Sequence, residues 1–265
     1  MNALAKIQQR TLYFPEERKR KILEMLNEQK KIVVPDLCKY FNISPATIRN
    51  DLHELEQSGL LKRTHGGAIL NQRVKQEKQF VSEVEHLAEK KAIAAEALTL
   101  IEDGDALALD TGTTTMELAK LLGAKRNLTI VVNDIQLALL LEANTEATVV
   151  LVGGILRKGM HCTVGPMATE DMKTITVDKA FIATNGLTLK GLSTPDMHQG
   201  ETKTTMISIA NEVILLTDSS KLGTNSFSTF ATPDDIDRLI IDDKADPSTL
   251  NALSDCGISI TVVSV

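Results

Sequence analysis

Five short polar runs in the later two-thirds of the chain combine hydroxyls, amides, glycines and cations in patterns that suit ligand binding. Asp110-Thr111-Gly112-Thr113-Thr114-Thr115 is the richest. Consecutive hydroxyls, a glycine that permits close backbone approach and the start of a helix together suit an oxyanion or a phosphate. The run is not a Walker A motif, because the Gly-x4-Gly-Lys spacing and its lysine are missing, so nucleotide hydrolysis is not implied. The other four are Asn133-Asp134, Gly153-Gly154 followed by Arg157-Lys158, Thr184-Asn185-Gly186 and Asp218-Ser219-Ser220-Lys221. Any one of them would serve as a plain turn. As a set they read as one mouth lined for a small, polyhydroxylated, anionic ligand. A sixth run, Ser44-Pro45-Ala46-Thr47-Ile48-Arg49-Asn50, has different chemistry. Its small, hydrogen-bonding and cationic side chains are the types that meet base edges and phosphates in a major groove.

Each of the five runs follows a short apolar stretch. Ala106 to Leu109, Leu128 to Val132, Thr148 to Val152, Lys179 to Ala183 and Val213 to Leu216 read as strands. Helices are expected between them, at Leu87 to Ile101, Met116 to Leu122, Ile135 to Leu141 and Met167 to Ile175, with one ending over Thr204 to Ala210. Leu239-Ile240-Ile241, a helix near Ser248 to Leu253 and Ile258 to Val263 close the chain. Near-continuous apolar strands between helices predict a mostly parallel sheet covered on both faces. Such sheets bind ligands beyond the carboxyl ends of their strands, where all five runs fall.

The N-terminal part follows another plan. Glu16 to Glu28 reads as a helix with Ile22, Leu23 and Leu26 on one stripe. Arg18-Lys19-Arg20-Lys21 at its start are expected to contact phosphates. Pro35 opens a second helix with Leu37, Cys38 and Phe41 on its apolar side. Ser44 caps a third, Pro45 to about Gln57, whose Ile48, Leu52 and Leu55 face a small core. This is a helix-turn-helix plan, and the third helix is the recognition helix, with Ser44, Ala46, Thr47, Arg49 and Asn50 at the DNA. Leu60 to Thr64 and Ala68 to Leu70 form a β-hairpin wing about His65-Gly66-Gly67, with Lys62, Arg63 and His65 placed to meet backbone or minor groove. Residues 15–70 are thus expected to be a DNA-binding head, 71–84 a polar linker and 85–265 a ligand-binding body.

Charge follows this division. Residues 1–75 hold 14 Lys and Arg against 8 Asp and Glu, residues 76–265 hold 15 against 27, and the whole chain carries −6. A basic head on an acidic body is the asymmetry expected when only the head touches DNA. With no Trp, six Phe and two Tyr, a base-stacking platform for single strands or RNA is not expected. Three scattered cysteines, Cys38, Cys162 and Cys256, argue against a disulfide framework and for a reducing cytoplasm, each as a small buried hydrophobe. No apolar run approaches the ~20 residues of a membrane span. Met1 to Phe14 lacks the apolar core of a secretory signal. His161-Cys162 and His198 lack metal-ligand spacing, so no metal is expected.

The spacing Arg18-x3-Ile22-x3-Leu26-x17-Ser44-x2-Thr47-Ile48-Arg49-Asn50-Asp51-Leu52 resembles the signature of the DeoR family of bacterial transcriptional regulators. Leu61-Lys62-Arg63-Thr64-His65-Gly66-Gly67-Ala68 resembles that family's wing. The body resembles the family's sensor domain, itself similar in fold to ribose-5-phosphate isomerase. The matching positions are Asp110 to Thr114, Asn133, Gly153-Gly154-x2-Arg157, Asp178-Lys179-Ala180-Phe181, Asn185-Gly186, Ser193-Thr194-Pro195-Asp196, Lys203 with Met206, and Asp218-Ser219-Ser220-Lys221. The resemblance implies an α+β winged helix-turn-helix head followed by an α/β sensor domain. It also implies a double-stranded DNA operator, net repression, and no cofactor beyond a phosphorylated sugar as effector. The phosphate would sit on Thr111 to Thr114, with Arg157, Lys203 or Lys221 pairing with it or with sugar hydroxyls. Asp110, Gly112, Thr113, Asn133, Gly153, Gly154, Asp178, Asn185, Asp218 and Ser219 complete the implied site. Paired operator half-sites call for at least a dimer, a homodimer or homotetramer.

One departure stands out. The family commonly has Glu-Ala-x2-Lys leading into Met206, where this chain has Gln199-Gly200 before Lys203. Glu201 lies roughly 200° around a helix from that position and is no simple substitute. An amide donates and accepts where a carboxylate only accepts, so the effector's hydroxyl pattern is expected to differ from that of better-matching members. The competing reading is a sugar-phosphate isomerase fused to a DNA-binding head. Isomerisation needs a carboxylate base beside the acidic carbon. The isomerase family's Asp-Gly loop aligns with Asn185-Gly186, an amide that cannot act as base, so no enzyme is expected.

Overall fold

The computed structural model describes residues 13–29, 31–57, 61–64, 66–69 and 84–265. The chain divides into two compact units, 1–77 and 78–265. The linker expected at 71–84 lies, apart from Val84, outside the described residues.

In the head, α1 (Pro15–Gln29), α2 (Val34–Phe41) and α3 (Pro45–Gln57) close on a core of Ile22, Leu26, Leu37, Phe41, Ile48, Leu52 and Leu55. Spacings of three and four put one stripe of each helix inward. α2 stops at Asn42, which takes the left-handed conformation (φ 54°, ψ 47°) and returns its N–H to the Cys38 carbonyl. Asparagine tolerates that geometry better than most residues. Ser44 caps α3, its Oγ accepting the Thr47 N–H at 3.2 Å. β1 (Lys31–Val33), β2 (Lys62–Thr64) and β3 (Gly67–Ile69) form an antiparallel sheet in the order β1-β3-β2. The wing thus has three strands rather than the two expected, because the apolar Ile32-Val33 run joins it. Gly67 is required there: a β-carbon would lie 1.9 Å from the Ile32 carbonyl oxygen.

The body begins with α4 (Leu87–Thr99), β4 (Ala106–Leu109), α5 (Thr113–Ala119), β5 (Thr129–Val132), α6 (Ile135–Asn144) and β6 (Thr148–Leu151). A hairpin of β7 (Ile155–Arg157) and β8 (Cys162–Val164) leads to α7 (Pro166–Met172) and β9 (Val177–Ala183). β10 (Gly186–Thr188), β11 (Gly191–Thr194), α8 (Met197–Ser208), β12 (Ala210–Leu216) and β13 (Ser228–Ala231) follow. β14 (Arg238–Asp242), α9 (Pro247–Ser254) and β15 (Ser259–Val263) complete the unit.

Seven strands form one wholly parallel sheet in the order β15-β14-β12-β9-β4-β5-β6. The chain runs outward from β4 in one direction and from β9 in the other, so the switch point lies between β4 and β9. Burial alternates along the strands. Leu107, Leu109, Ile130, Val132, Phe181 and Ile214 share a core with Ile93, Leu118 and Leu137 of α4, α5 and α6. Ala108, Val131, Ala180, Ile182, Leu215 and Leu239 share the other with Met172, Met206 and Leu253 of α7, α8 and α9. Covering both faces accounts for the continuous apolar runs. The β7–β8 hairpin and the antiparallel sheet β10-β11-β13 were not expected. Their strands are three or four residues long, and the Gly, Ser and Thr in them read locally as turn chemistry.

Candidate nucleic-acid interface and effector site

On α3, Ala46, Arg49, Asn50 and His53 are exposed and Thr47 is half-buried. Their three- and four-residue spacing puts Ala46, Arg49, Asn50 and His53 on one face, away from Ile48, Leu52 and Leu55. Lys62 on β2 is exposed. Arg63 donates its backbone N–H to Glu56 Oε1 at 2.8 Å, and its Nη1 lies 3.4 Å from His53 Nδ1. His53 therefore joins this face. Sequence reasoning passed it over, although its i+4 spacing from Arg49 was available as a signal. The Ser44 hydroxyl is engaged with Thr47, 3.0 Å from its Oγ1. His65 lies outside the described residues.

Arg18 is a correction. Its guanidinium is bidentate on Asp51, with Nε–Oδ2 at 2.6 Å and Nη2–Oδ1 at 3.0 Å, and both side chains are buried. The planar fork matches a carboxylate, and the hydrogen bond to Asp51 raises the arginine's already high pKa. Arg18 thus ties α1 to α3 instead of facing a phosphate. Its neighbour Lys19 pairs with Glu54 at 2.9 Å, again between α1 and α3, and Lys21 pairs with Glu24 at 2.8 Å. Each lysine holds its partner carboxyl below the usual range. Arg20 is exposed. Much of the basic cluster positions the recognition helix.

In the body, the carboxyl ends of β4, β5 and β9 bring Asp110, Thr111, Asn133 and Asn185 to the switch point, and α8 adds Lys203. Lys203 and Asp110 are each 1% exposed. The Lys203 ammonium donates to Asp110 Oδ2 and, at 2.9 Å, to the Ala183 carbonyl, while Asp110 Oδ2 also accepts the Ala183 N–H at 2.9 Å. Neither charge is left uncompensated. The pair is a floor to the site rather than an open contact. The threonines also turn inward: Thr111 Oγ1 donates to Asn133 Oδ1 at 3.2 Å, and Thr115 Oγ1 to the Asp110 carbonyl at 2.6 Å. Asn133 Nδ2 donates to the Thr163 carbonyl at 2.9 Å. Thr114 is buried and Thr113 half-buried. Gly112 lets this loop press on β9, since a β-carbon there would lie 2.7 Å from Ala183 Cβ.

Arg157 enters from the β7–β8 hairpin. Its Nη1 donates to Gln199 Oε1 at 3.3 Å, and its Nη2 lies 3.4 Å from Asp196 Oδ2. Asp196 caps α8, Oδ1 accepting the Gln199 N–H at 2.9 Å. Thr194 Oγ1 lies 3.1 Å from Gln199 Oε1 and 3.2 Å from Asn185 Oδ1. Thr194, Asp196 and Gln199 were not assigned to the site from the sequence, although Gln199 was marked as a departure. Gly153 is exposed, and Gly154 makes the turn into the hairpin at φ 137°. Asp178 is a second correction. It lies at the amino end of β9, exposed, and accepts the Ala106 N–H at 2.8 Å. In a parallel sheet that is the edge opposite the site.

Asp218, Ser219 and Lys221 follow β12. Asp218 accepts the Ser220 N–H at 3.2 Å and pairs with buried Lys90 at 3.1 Å. Burial pushes its carboxyl up, but the Ser220 hydroxyl and the Lys90 and Lys221 cations outweigh this and hold it below the usual range. Ser219 gives its N–H and its hydroxyl to Asp242 at 2.6 and 2.8 Å. Asp134 caps α6 through Oδ1, while its buried Oδ2 has no partner, and burial raises its pKa. Burial also pushes the Cys162 thiol up to about 11, which keeps it protonated. Cys38 is half-buried and Cys256 exposed, which corrects the expectation of three buried cysteines. Among the described residues, no group of three His, Cys, Asp or Glu could hold a metal ion, and no helix is long and apolar enough to cross a membrane.

A helix-turn-helix head with a β-wing, followed by a doubly wound α/β body with a polar switch-point edge, defines a DNA-binding regulator carrying a sensor domain. The DeoR-like helix-turn-helix domain matches residues 18–74, and the DeoR C terminal sensor domain matches 85–243. The HTH-type transcriptional regulator GolR of Listeria innocua is 33% identical, over 94% of this chain and 99% of its own. The HTH-type transcriptional regulator GlpR of Haloferax volcanii is 37% identical, over 93% and 97%. The chain belongs to the DeoR family of transcriptional regulators. These relatives are named as regulators, not as enzymes. A solved D-ribose-5-phosphate isomerase in complex with phospho-erythronic acid aligns with a TM-score of 0.38 and 22% identity, over 53% of this chain and 55% of that chain.

Proposed function

We propose that this regulator represses a carbohydrate-utilisation operon in the cytoplasm and changes its operator affinity when a phosphorylated sugar or sugar alcohol binds the body. The Ala46 to His53 face of α3, with Lys62 and Arg63, meets double-stranded DNA. Paired half-sites make the working unit a homodimer or homotetramer. The observation that carries the effector reading is the meeting of Arg157, Gln199, Thr194 and Asn185 through side-chain contacts of 3.1–3.3 Å, two residues along the chain from the Ala183 backbone that the Lys203–Asp110 pair engages. Ser219 and Lys221 line the neighbouring strand end.

An effector can act only by binding the DNA-competent and incompetent states unequally. One link suits that role. Lys90 of α4, the helix that follows the linker in the chain, reaches Asp218 at 3.1 Å and the Glu85 carbonyl at 2.5 Å. The test is binding to DNA from upstream of the chain's own gene, at fixed salt, with a panel of sugar phosphates and the matching free sugars. One phosphorylated sugar is expected to shift affinity while its free sugar does not. Specific DNA binding that no compound alters would remove the effector reading.

A further inference from the structure

We infer that Glu85 to Lys90, where the chain enters the body, form a latched hinge whose catch is the Asp218–Lys221 strand end, so that an effector at that end resets the chain leading into α4. The inference rests on the effector reading above and names how that site is read out. His86 precedes α4 in the left-handed region (φ 58°, ψ 41°), and its side chain supplies no cap. That region is disfavoured for a residue with a β-carbon, and such a turn persists where its surroundings over-determine it. Two ion pairs do so here. Lys90 Nζ donates to the Glu85 carbonyl at 2.5 Å and pairs with Asp218 at 3.1 Å, while the Lys90 N–H donates to the His86 carbonyl at 3.1 Å. Glu89 Oε1 accepts from Lys244 Nζ at 2.5 Å, and the Lys244 N–H donates to Asp242 Oδ1 at 3.1 Å. Asp242 in turn accepts the N–H and the hydroxyl of Ser219. Adjacent residues of α4 are thus tied to adjacent residues of one loop, and Glu89, Lys90, Asp218 and Asp242 are all buried. A cation in the first turn of a helix opposes the helix dipole, so no local preference accounts for Lys90.

The same loop runs to the mouth. The Lys221 N–H donates to the Asp218 carbonyl at 3.1 Å. Thr224 Oγ1 lies 2.8 Å from the Lys221 carbonyl and 3.2 Å from that of Asn185. The Lys221 charge also acts on the Asp218 carboxyl. Two settings follow. In one, Lys90 holds Asp218 and His86 keeps its left-handed turn. In the other, Lys90 turns to solvent, His86 relaxes and Lys221 is the cation left to Asp218. A buried carboxylate without a cation is costly. An anionic effector that takes up Lys221 removes the substitute, so its binding favours the latched setting.

The test uses the full-length protein and an operator fragment at fixed salt, with glucose 6-phosphate, fructose 6-phosphate and ribose 5-phosphate as probes. The variants are His86→Gly, Glu89→Gln, Lys90→Met, and His86→Gly joined to Glu89→Gln. Glycine adopts the left-handed turn freely and favours the latch; the other two single changes loosen it. Amide exchange across residues 87–91 is expected to slow about fivefold in His86→Gly and to quicken about as much in Glu89→Gln. Operator affinity is expected to move about threefold or more in at least one single variant and to return toward wild type in the joined one. A probe that alters wild-type operator affinity is expected to move it in the direction of His86→Gly. Lys244 is exposed, so Glu89→Gln strands no buried charge and carries the test if Lys90→Met does not fold. Operator affinity unmoved in every folded variant, effects that add in the joined variant, or a probe response opposite to that of His86→Gly overturns the hinge. A wild-type probe response beside any of these leaves the effector reading standing. Suppression in the joined variant with no response to any probe supports the hinge and counts against the effector reading.

Discussion

The head and the body each contain a buried ion pair that includes a residue first read as a ligand contact. In the head, Arg18 and Asp51 are 8% and 5% exposed and join two helices of a small core. In the body, Lys203 and Asp110 are each 1% exposed, and the Ala183 N–H and carbonyl complete their hydrogen bonding. The head pair sets where the recognition helix stands. The body pair fastens the ends of β4 and β9 to α8 at the switch point. The difference teaches that charge near a site has two uses. A charge on a helix face or loop tip can meet a ligand, whereas one drawn under the surface must meet its counter-charge, because leaving it unpaired costs several kcal/mol.

Lys203→Met offers the largest break in this comparison. It leaves Asp110 buried without its cation and is expected to cost the body about 3–5 kcal/mol, read by chemical denaturation. Adding Asp110→Asn should recover part of the loss, and a cost under about 1 kcal/mol would show the pair to be solvated. Arg18→Ala, nearer solvent, is expected to cost the head about 2 kcal/mol and to weaken operator binding through α3, with effector binding intact. A loss as large as that of Lys203→Met would erase the distinction of depth. Arg49→Ala should weaken operator binding about tenfold without moving either unfolding transition, since its side chain is exposed. Unchanged affinity would place the recognition face elsewhere. Ser44→Ala removes the α3 cap and is expected to cost about 1 kcal/mol in the head.

The smallest effects are pH-dependent and opposite in sign for two carboxylates of the body. The Asp218 carboxyl is held low, so its contribution is present at neutral pH and is lost as pH falls through its folded value. The Asp134 carboxyl is held high by burial, so its ionised form is penalised at neutral pH and the penalty lifts as pH falls through the raised value. Asp134→Asn keeps a capping oxygen and removes the buried charge. It is expected to stabilise the body slightly at pH 7 and to abolish that relief on the acid side, which a pH series of denaturation midpoints would reveal.

Much of the fold was legible because its causes are local. The spacing of Ile48, Leu52 and Leu55 behind Ser44-Pro45 predicts α3 over the residues it occupies, and the apolar runs mark the seven strands of the large sheet. The small sheet was not legible, since Gly186, Gly191 and Ser193 serve turns as well as strands and only cross-strand pairing separates the two. In the site, Asn133, Asn185 and Arg157 were legible as strand-end polar residues. Thr194, Asp196 and Gln199 were not. They come from the end of β11 and the start of α8, and they join the mouth only because α8 packs across the sheet.

By itself the sequence determined a basic helix-turn-helix head, a parallel α/β body and a polar edge at the carboxyl ends of its strands. Periodicity, capping and composition act over a few residues and need no distant partner. Only the tertiary structure decided which charged and hydroxyl side chains stay open to solvent and which face one another. Arg18 and Asp51 are 33 positions apart, and Lys203 and Asp110 are 93 apart. No local rule couples such pairs. They meet because packing takes each charge out of water, and inside a protein an uncompensated charge costs more than the geometry that pairs it.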